Sequence, residues 1–185
     1  YSWAMELTEM VQTHFPDQES GGFFDTSDDH EQLIFRPKDV QDNAIPSGNG
    51  MMIHNLLMAN LFTGEGSFVD SDARALQSLN EAMRQHPNGF AQWLNGACLY
   101  LGSTVEVAIN GDPGLRETEL LIQSAQQGFR PLQVVAVGGE RSPIPLLMDR
   151  PQVGGVATAY VCRGFVCSRP VTTAEALTEQ LATSP

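Results

Sequence analysis

Met51, Met52, Ile53, Leu56, Leu57, Leu61 and Phe62 put apolar side chains on most sides of one helix. Such a helix is stable only when other helices surround it. The segment in front of it is its opposite. Arg36-Pro37-Lys38-Asp39-Val40-Gln41-Asp42-Asn43-Ala44-Ile45-Pro46-Ser47-Gly48-Asn49 crowds cations, carboxylates, amides and a hydroxyl into fourteen residues. Prolines and a glycine fix its backbone, and the helix behind it offers unpaired N–H groups at its N-terminus. The chain must therefore bury a greasy helical bundle and hold a polar knot at its entrance, the arrangement a site for a polar molecule needs.

The rest of the composition narrows the field. The 185 residues, 42% of them apolar, suffice for one domain or two small ones, and a charged fraction of 17% argues against a disordered tail. With 10 Lys and Arg against 22 Asp and Glu, the net charge of −12 repels phosphate backbones and anionic headgroups. Nucleic-acid binding and electrostatic membrane attachment are not expected. No run reaches the roughly 18–20 apolar residues that span a bilayer, and the N-terminus shows no basic and apolar signal pattern. Tyr1-Ser2-Trp3-Ala4-Met5 reads as the middle of a helix and lacks an initiator Met, so the chain is expected to be the C-terminal piece of something longer.

Helical spacing runs through Trp3, Leu7, Met10, Val11 and His14, and Phe15-Pro16 ends it. Residues 21–26 and 32–35 suggest two short strands joined as a hairpin by the polar Ser27-Asp28-Asp29-His30-Glu31. After the apolar helix, Ser67 and Asp70 resemble a capping box. One helix is expected through Val69, Ala73, Leu76, Leu79 and Met83. Another runs through Phe90, Trp93, Leu94, Ala97, Cys98 and Leu101, with Gly102 as its C′ residue. These helices form an antiparallel layer. At Ser103 the character changes. Val105–Ile109 is a strand, Asp112-Pro113 opens a helix with proline at its first position, and Leu132–Val137 is a second, parallel strand, completing a βαβ unit. A Pro- and Gly-rich loop spans 138–155, Val156–Cys162 is a third strand, and Thr172 or Thr173 caps a last helix. Two domains follow, 1–102 and 103–185.

Three cysteines, Cys98, Cys162 and Cys167, form no C-x-x-C pair. An odd count without a secretion signal favours free thiols in a cytoplasmic protein. The spacing of Cys162 and Cys167 leaves two geometries. A two-residue Arg163-Gly164 turn places the sulfurs diagonally, whereas a four-residue loop sets them opposite each other and permits a bond.

Gly21-Gly22-Phe23-Phe24-Asp25-Thr26, then Arg36-Pro37-Lys38 with Asp42, Ala44 and Pro46-Ser47-Gly48-Asn49, then Ala159-Tyr160-Val161-Cys162 with Cys167 and Pro170, occur in that order. Over roughly residues 20 to 180 the chain resembles the C-terminal part of the thioredoxin-domain-containing proteins of the spermatogenesis-associated (YyaL-like) type. The resemblance implies a mixed fold: an α-helical fragment of an (α/α)6 toroid, similar to six-hairpin glycosidases and N-acylglucosamine 2-epimerases, followed by a small α/β subdomain. It also implies a longer protein whose other parts are a thioredoxin-like domain and the remaining toroid helices. Apolar helix faces that those helices cover would be exposed here, and dimerisation or packing on another chain would cover them.

In a toroid, the loops entering the inner helices line a central funnel, and the segment before Met51 fits that place. Arg36 and Lys38, with Ser47 and Asn49, would then bind a sugar or sugar phosphate. Asp25 and Asp42 would be its acid/base carboxylates, with His54 as a further proton carrier. The activity so implied is that of a sugar epimerase, isomerase or hydrolase. A competing internal reading pairs Arg36 with Asp42 and makes Ser47 the helix N-cap. A competing non-enzymatic reading makes the chain a docking body for the thioredoxin-like domain. No metal is expected, because Asp25, Asp28, Asp29, His30 and Glu31 match neither calcium nor zinc spacing. No cofactor is expected either, because Gly138-Gly139 lacks a phosphate-loop pattern.

Overall fold

The computed structural model describes residues 1–31, 34–66, 69–139, 141–164 and 166–183. They fall into two units. One comprises Tyr1–Asn60 with Glu65–Gly102, and the other Leu61–Gly64 with Ser103–Pro185.

The first unit is helical: α1 (Ser2–His14), α2 (Gly48–Thr63) as far as Asn60, α3 (Val69–Ser78), α4 (Asn80–Gln85) and α5 (Ala91–Leu101). Ile53, Leu56 and Leu57 of α2, Ala75 and Leu76 of α3, Met83 of α4, and Trp93 and Leu99 of α5 are buried. The expected single helix from Val69 to Met83 is two, because Leu79 leaves helical geometry at φ −99, ψ 2. Gly102 is extended at φ −86, ψ 164, so α5 ends without the left-handed C′ glycine. The proposed capping residue Ser67 lies outside the described residues. In α1 no residue is buried, and Trp3, Leu7 and Met10, spaced three and four apart, face outward.

The expected hairpin over 21–35 is a correction. Phe23 makes an isolated bridge to Pro16, and the Asp25 amide donates to the Pro37 carbonyl. Gly21 and Gly22 take φ of 75 and 74, which no strand residue adopts. Ile34 and Phe35 are exposed, and residues 32 and 33 lie outside the described residues.

The second unit is a four-stranded sheet in the order β2-β1-β3-β4. Strand β1 (Val105–Asn110) pairs in parallel with β2 (Gln133–Gly138) and antiparallel with β3 (Thr158–Arg163). Helix α6 (Arg116–Gln126) connects β1 to β2, and α7 (Ala174–Ala182) follows β4 (Val166–Cys167). Alternation along the strands divides the sheet's faces. Val107, Ile109, Ala159 and Val161 pack with Leu121 and Ala125 of α6 and Leu177 of α7. Glu106, Ala108, Asn110, Thr158, Tyr160 and Cys162 belong to the opposite face. Helix α6 starts later than Pro113 suggests. The Asp112 carboxylate accepts the Gly114 amide and the Asp112 carbonyl accepts the Leu115 amide, so residues 112–115 form a turn. Thr173 caps α7 by accepting the Ala176 amide. Among the described residues no helix is long and apolar enough to cross a membrane.

Candidate functional site

Six of the seven candidate residues of the helical unit, all but His54, have identifiable hydrogen-bond partners, and most of those partners are backbone. Arg36 donates through Nη2 to the carbonyls of His14, at 3.0 Å, and Thr26, and its guanidinium lies 4.3 Å from the centre of the Phe24 ring. Among the described residues no carboxylate pairs with it, so the ion pair Arg36–Asp42 of the internal reading does not form. Lys38 donates to the Gly21 carbonyl and to Asp17 Oδ2 at 2.9 Å. The Ser20 amide, followed by the Lys38 ammonium, holds the Asp17 carboxyl below the usual carboxylate range.

Asp42 serves two helices. Its Oδ1 accepts the Ser47 amide at 2.8 Å at the mouth of α2, and its Oδ2 accepts the Gln92 amide at 2.7 Å in the first turn of α5. The residue before α5, Phe90, supplies no side-chain cap of its own, so Asp42 fills that role from fifty residues away. Ser47 Oγ accepts the Gly50 amide at 3.1 Å, the N-cap bond of α2.

Asn49 is almost completely buried and takes the place of a neighbouring strand. Its Oδ1 accepts the Phe23 amide and its Nδ2 donates to the Phe23 carbonyl, both at 2.7 Å, with a further bond to the Asp39 carbonyl at 3.0 Å. A Cβ on Gly22 would lie 2.6 Å from that Oδ1, so the close approach requires glycine. Asp25 is exposed, and its Oδ2 accepts the Asp39 amide at 2.9 Å. Trp93 closes the segment from below, donating from Nε1 to the Val40 carbonyl at 2.8 Å.

His54 stands apart. It is half-buried on α2, its Nδ1 is buried without a hydrogen-bond partner, and burial lowers its pKa. His14, at the end of α1, bonds Asp28 at 2.8 Å, and that bond raises its pKa. His14, Asp28 and Asp29 bring their ligand-type atoms within 4.8 Å of one another at the surface. The two histidines should titrate in opposite directions from the ordinary value of about 6.5. In an NMR pH titration the His14 ring signal should have its midpoint above that value and the His54 signal below it. The linked stabilities are opposite too. The His14 contribution is full below about pH 6.5 and is lost as pH rises through its folded midpoint. For His54 the unfolded chain protonates first, so folding weakens as pH falls below about 6.5.

A cavity of about 270 Å³ beside the Gly21-Gly22 turn is lined by Gln12, Asp17, Glu19, Ile53 and Arg74 among others, and by none of the seven candidates. Asp17 and Trp93 are the partners that pattern reading missed. Asp17 carries the signal of an acid directly after the helix-ending Phe15-Pro16.

In the second unit the expectation of free thiols at Cys162 and Cys167 is overturned: the two form a disulfide. Arg163 pairs with Val166 and Cys162 with Cys167, so the turn is centred one residue later than Arg163-Gly164. Gly164, at φ 55, supplies the positive dihedral that such a turn needs. The cysteines thereby become direct cross-strand neighbours with Cα atoms 3.8 Å apart. Cys98 is a free, exposed thiol.

No family model matches the chain. It is 30% identical over 177 residues to spermatogenesis-associated protein 20 of Homo sapiens, an overlap that covers 92% of this chain and 22% of that protein. The proteins of the same name from Mus musculus and Rattus norvegicus are each 29% identical over the same length. The chain therefore spans about a fifth of the length of these relatives. It belongs to the spermatogenesis-associated protein 20 family and is a C-terminal part of it.

Proposed function

We infer that this chain is a non-catalytic docking part of a longer protein, a fragment of an α/α toroid against which a thioredoxin-like domain of the same polypeptide is seated. The observation that carries this reading is the occupation of the polar segment. Arg36, Lys38, Asp42, Ser47 and Asn49 each hydrogen-bond backbone amides or carbonyls of their own unit, Lys38 also pairs with Asp17, and Arg36 Nε stays buried without a hydrogen-bond partner. A residue that caps a helix or replaces a strand is poorly placed to bind and release substrate as well. The outward Trp3, Leu7 and Met10 stripe of α1 supports the same reading, and the occupant proposed for it is the remainder of the longer polypeptide.

A second reading rests on His54. A half-buried imidazole with an unpartnered Nδ1, kept neutral by burial, is a suitable proton acceptor. In that reading the intact toroid is a sugar epimerase, isomerase or hydrolase, and this chain lends it one wall.

One substitution in the full-length protein separates the two. Under the docking reading, Arg36→Ala removes two bonds to carbonyls and one cation–π contact. It should lower stability by about 1–2 kcal/mol, while calorimetric titration with a panel of sugars and sugar phosphates stays silent in both proteins. Heat of binding in the parent protein that disappears in the variant, at unchanged melting temperature, would establish the enzyme reading instead.

A further inference from the structure

The Cys162–Cys167 pair sits under a cation. Arg150 places Nη2 3.4 Å from Cys167 Sγ and 3.8 Å from Cys162 Sγ. Its other terminal nitrogen, Nη1, donates to the carbonyls of Leu146 at 2.7 Å and Met148 at 3.1 Å. The backbone around it is equally fixed. Asn110 Nδ2 donates to the Arg150 carbonyl at 2.7 Å, and the Tyr160 hydroxyl donates to the Pro151 carbonyl at 2.6 Å. Asp149, immediately before it, is the one non-glycine residue at positive φ among the described residues. Among those residues no carboxylate forms an ion pair with Arg150. A guanidinium is thus locked against two sulfurs, with no ion-pair partner among the described residues.

The sulfurs differ in access. Cys162 is completely buried, and Cys167 is exposed. The buried Glu106 is the cross-strand neighbour of Cys162 on β1, Tyr160 shares the face of Cys162 on β3, and Asp149 directly precedes Arg150 in the chain.

We propose that Cys162–Cys167 is a reversible dithiol–disulfide exchange site, opened by a dithiol reductant through Cys167 and supported by Arg150. One thiolate of the reductant attacks the exposed Cys167 Sγ. A mixed disulfide forms, the Cys162–Cys167 bond breaks, and its electron pair leaves on Cys162 Sγ, beside the guanidinium. The reductant's second thiolate then attacks its own sulfur in the mixed disulfide and frees Cys167 as a thiolate. Two electrons pass to the protein, the reductant leaves as a disulfide, and its two protons go to the solvent or to the new thiolates. A fixed cation next to both sulfurs favours the anionic, reduced form and the better leaving group.

The test uses the intact protein, equilibrated in mixtures of reduced and oxidised dithiothreitol. Differential alkylation and peptide mass spectrometry then read Cys162 and Cys167. The two should change state together while the protein stays folded. Arg150→Met should require about tenfold more reduced over oxidised reagent for half reduction, Arg150→Lys should remain close to the parent, and the Arg150→Met shift should persist in a Glu106→Gln background. Cys162→Ser exposed to oxidised glutathione should carry the adduct on Cys167. If Arg150→Met does not fold, the parent decides alone: the alkylation rate of its reduced Cys167 should reach half-maximum below the free-cysteine value of about pH 8.5. The proposal is overturned if the bond resists dithiothreitol until the protein unfolds, if parent and Arg150→Met share one midpoint, or if Cys167 titrates at or above the free-cysteine value.

Discussion

Asn49→Ala is expected to lower the unfolding free energy of the helical unit by about 3–5 kcal/mol, read by urea denaturation. The side chain makes three hydrogen bonds, two of them to the amide and carbonyl of buried Phe23. Alanine leaves both Phe23 groups and the Asp39 carbonyl without these partners at a site that water reaches poorly, and each orphaned group costs about 1–3 kcal/mol. Asn49→Asp tests the same geometry from the donor side. It keeps the acceptor for the Phe23 amide but turns the donor into an oxygen facing two carbonyls, so it should destabilise as well. Unfolding curves for both variants that overlay the parent curve would mean that Asn49 does not anchor the segment before α2.

Asp42→Ala should cost about 2–4 kcal/mol, because one carboxylate holds an amide at the start of each of two helices. Its Oδ1 bond to Ser47 and its Oδ2 bond to Gln92 are lost together, and among the described residues no other side chain accepts either amide. Asp42→Asn can keep only one of its two oxygen acceptors and should fall between parent and alanine. Hydrogen exchange at the Ser47 and Gln92 amides gives the local reading: both should accelerate in Asp42→Ala. Acceleration at one amide alone would show that the carboxylate serves a single helix.

The strongly periodic elements were legible in the sequence. Trp3, Leu7 and Met10 marked α1, the apolar run from Met51 marked α2, and the β-branched runs at 105–109 and 132–137 marked β1 and β2. Boundaries set by a single residue were not. Leu79 divides α3 from α4 although it is a good helix former, and the turn at Asp112 delays α6 past a proline that favours helix starts. Of the candidate site, Ser47 as a helix cap could be read, because capping is local. The partners of Arg36, Lys38, Asp42 and Asn49 could not. They are largely backbone groups at positions such as 14, 21, 23 and 92, and a backbone carbonyl or amide leaves no mark in the sequence. The sulfur bridge turned on one residue of register, because moving the turn from Arg163-Gly164 to the next pair sets Cys162 and Cys167 face to face.

Strand β2 ends the sheet on one side, and among the described residues nothing pairs with its outer edge. Its middle, Val134-Val135-Ala136-Val137, carries no charge, and such a border invites another chain to extend the ladder. The chain places charge at both ends: Arg130-Pro131 stands just before the run, and Glu140-Arg141 follows it after Gly138-Gly139. In a molecule so short of positive charge, these two arginines are spent where unwanted strand addition would begin.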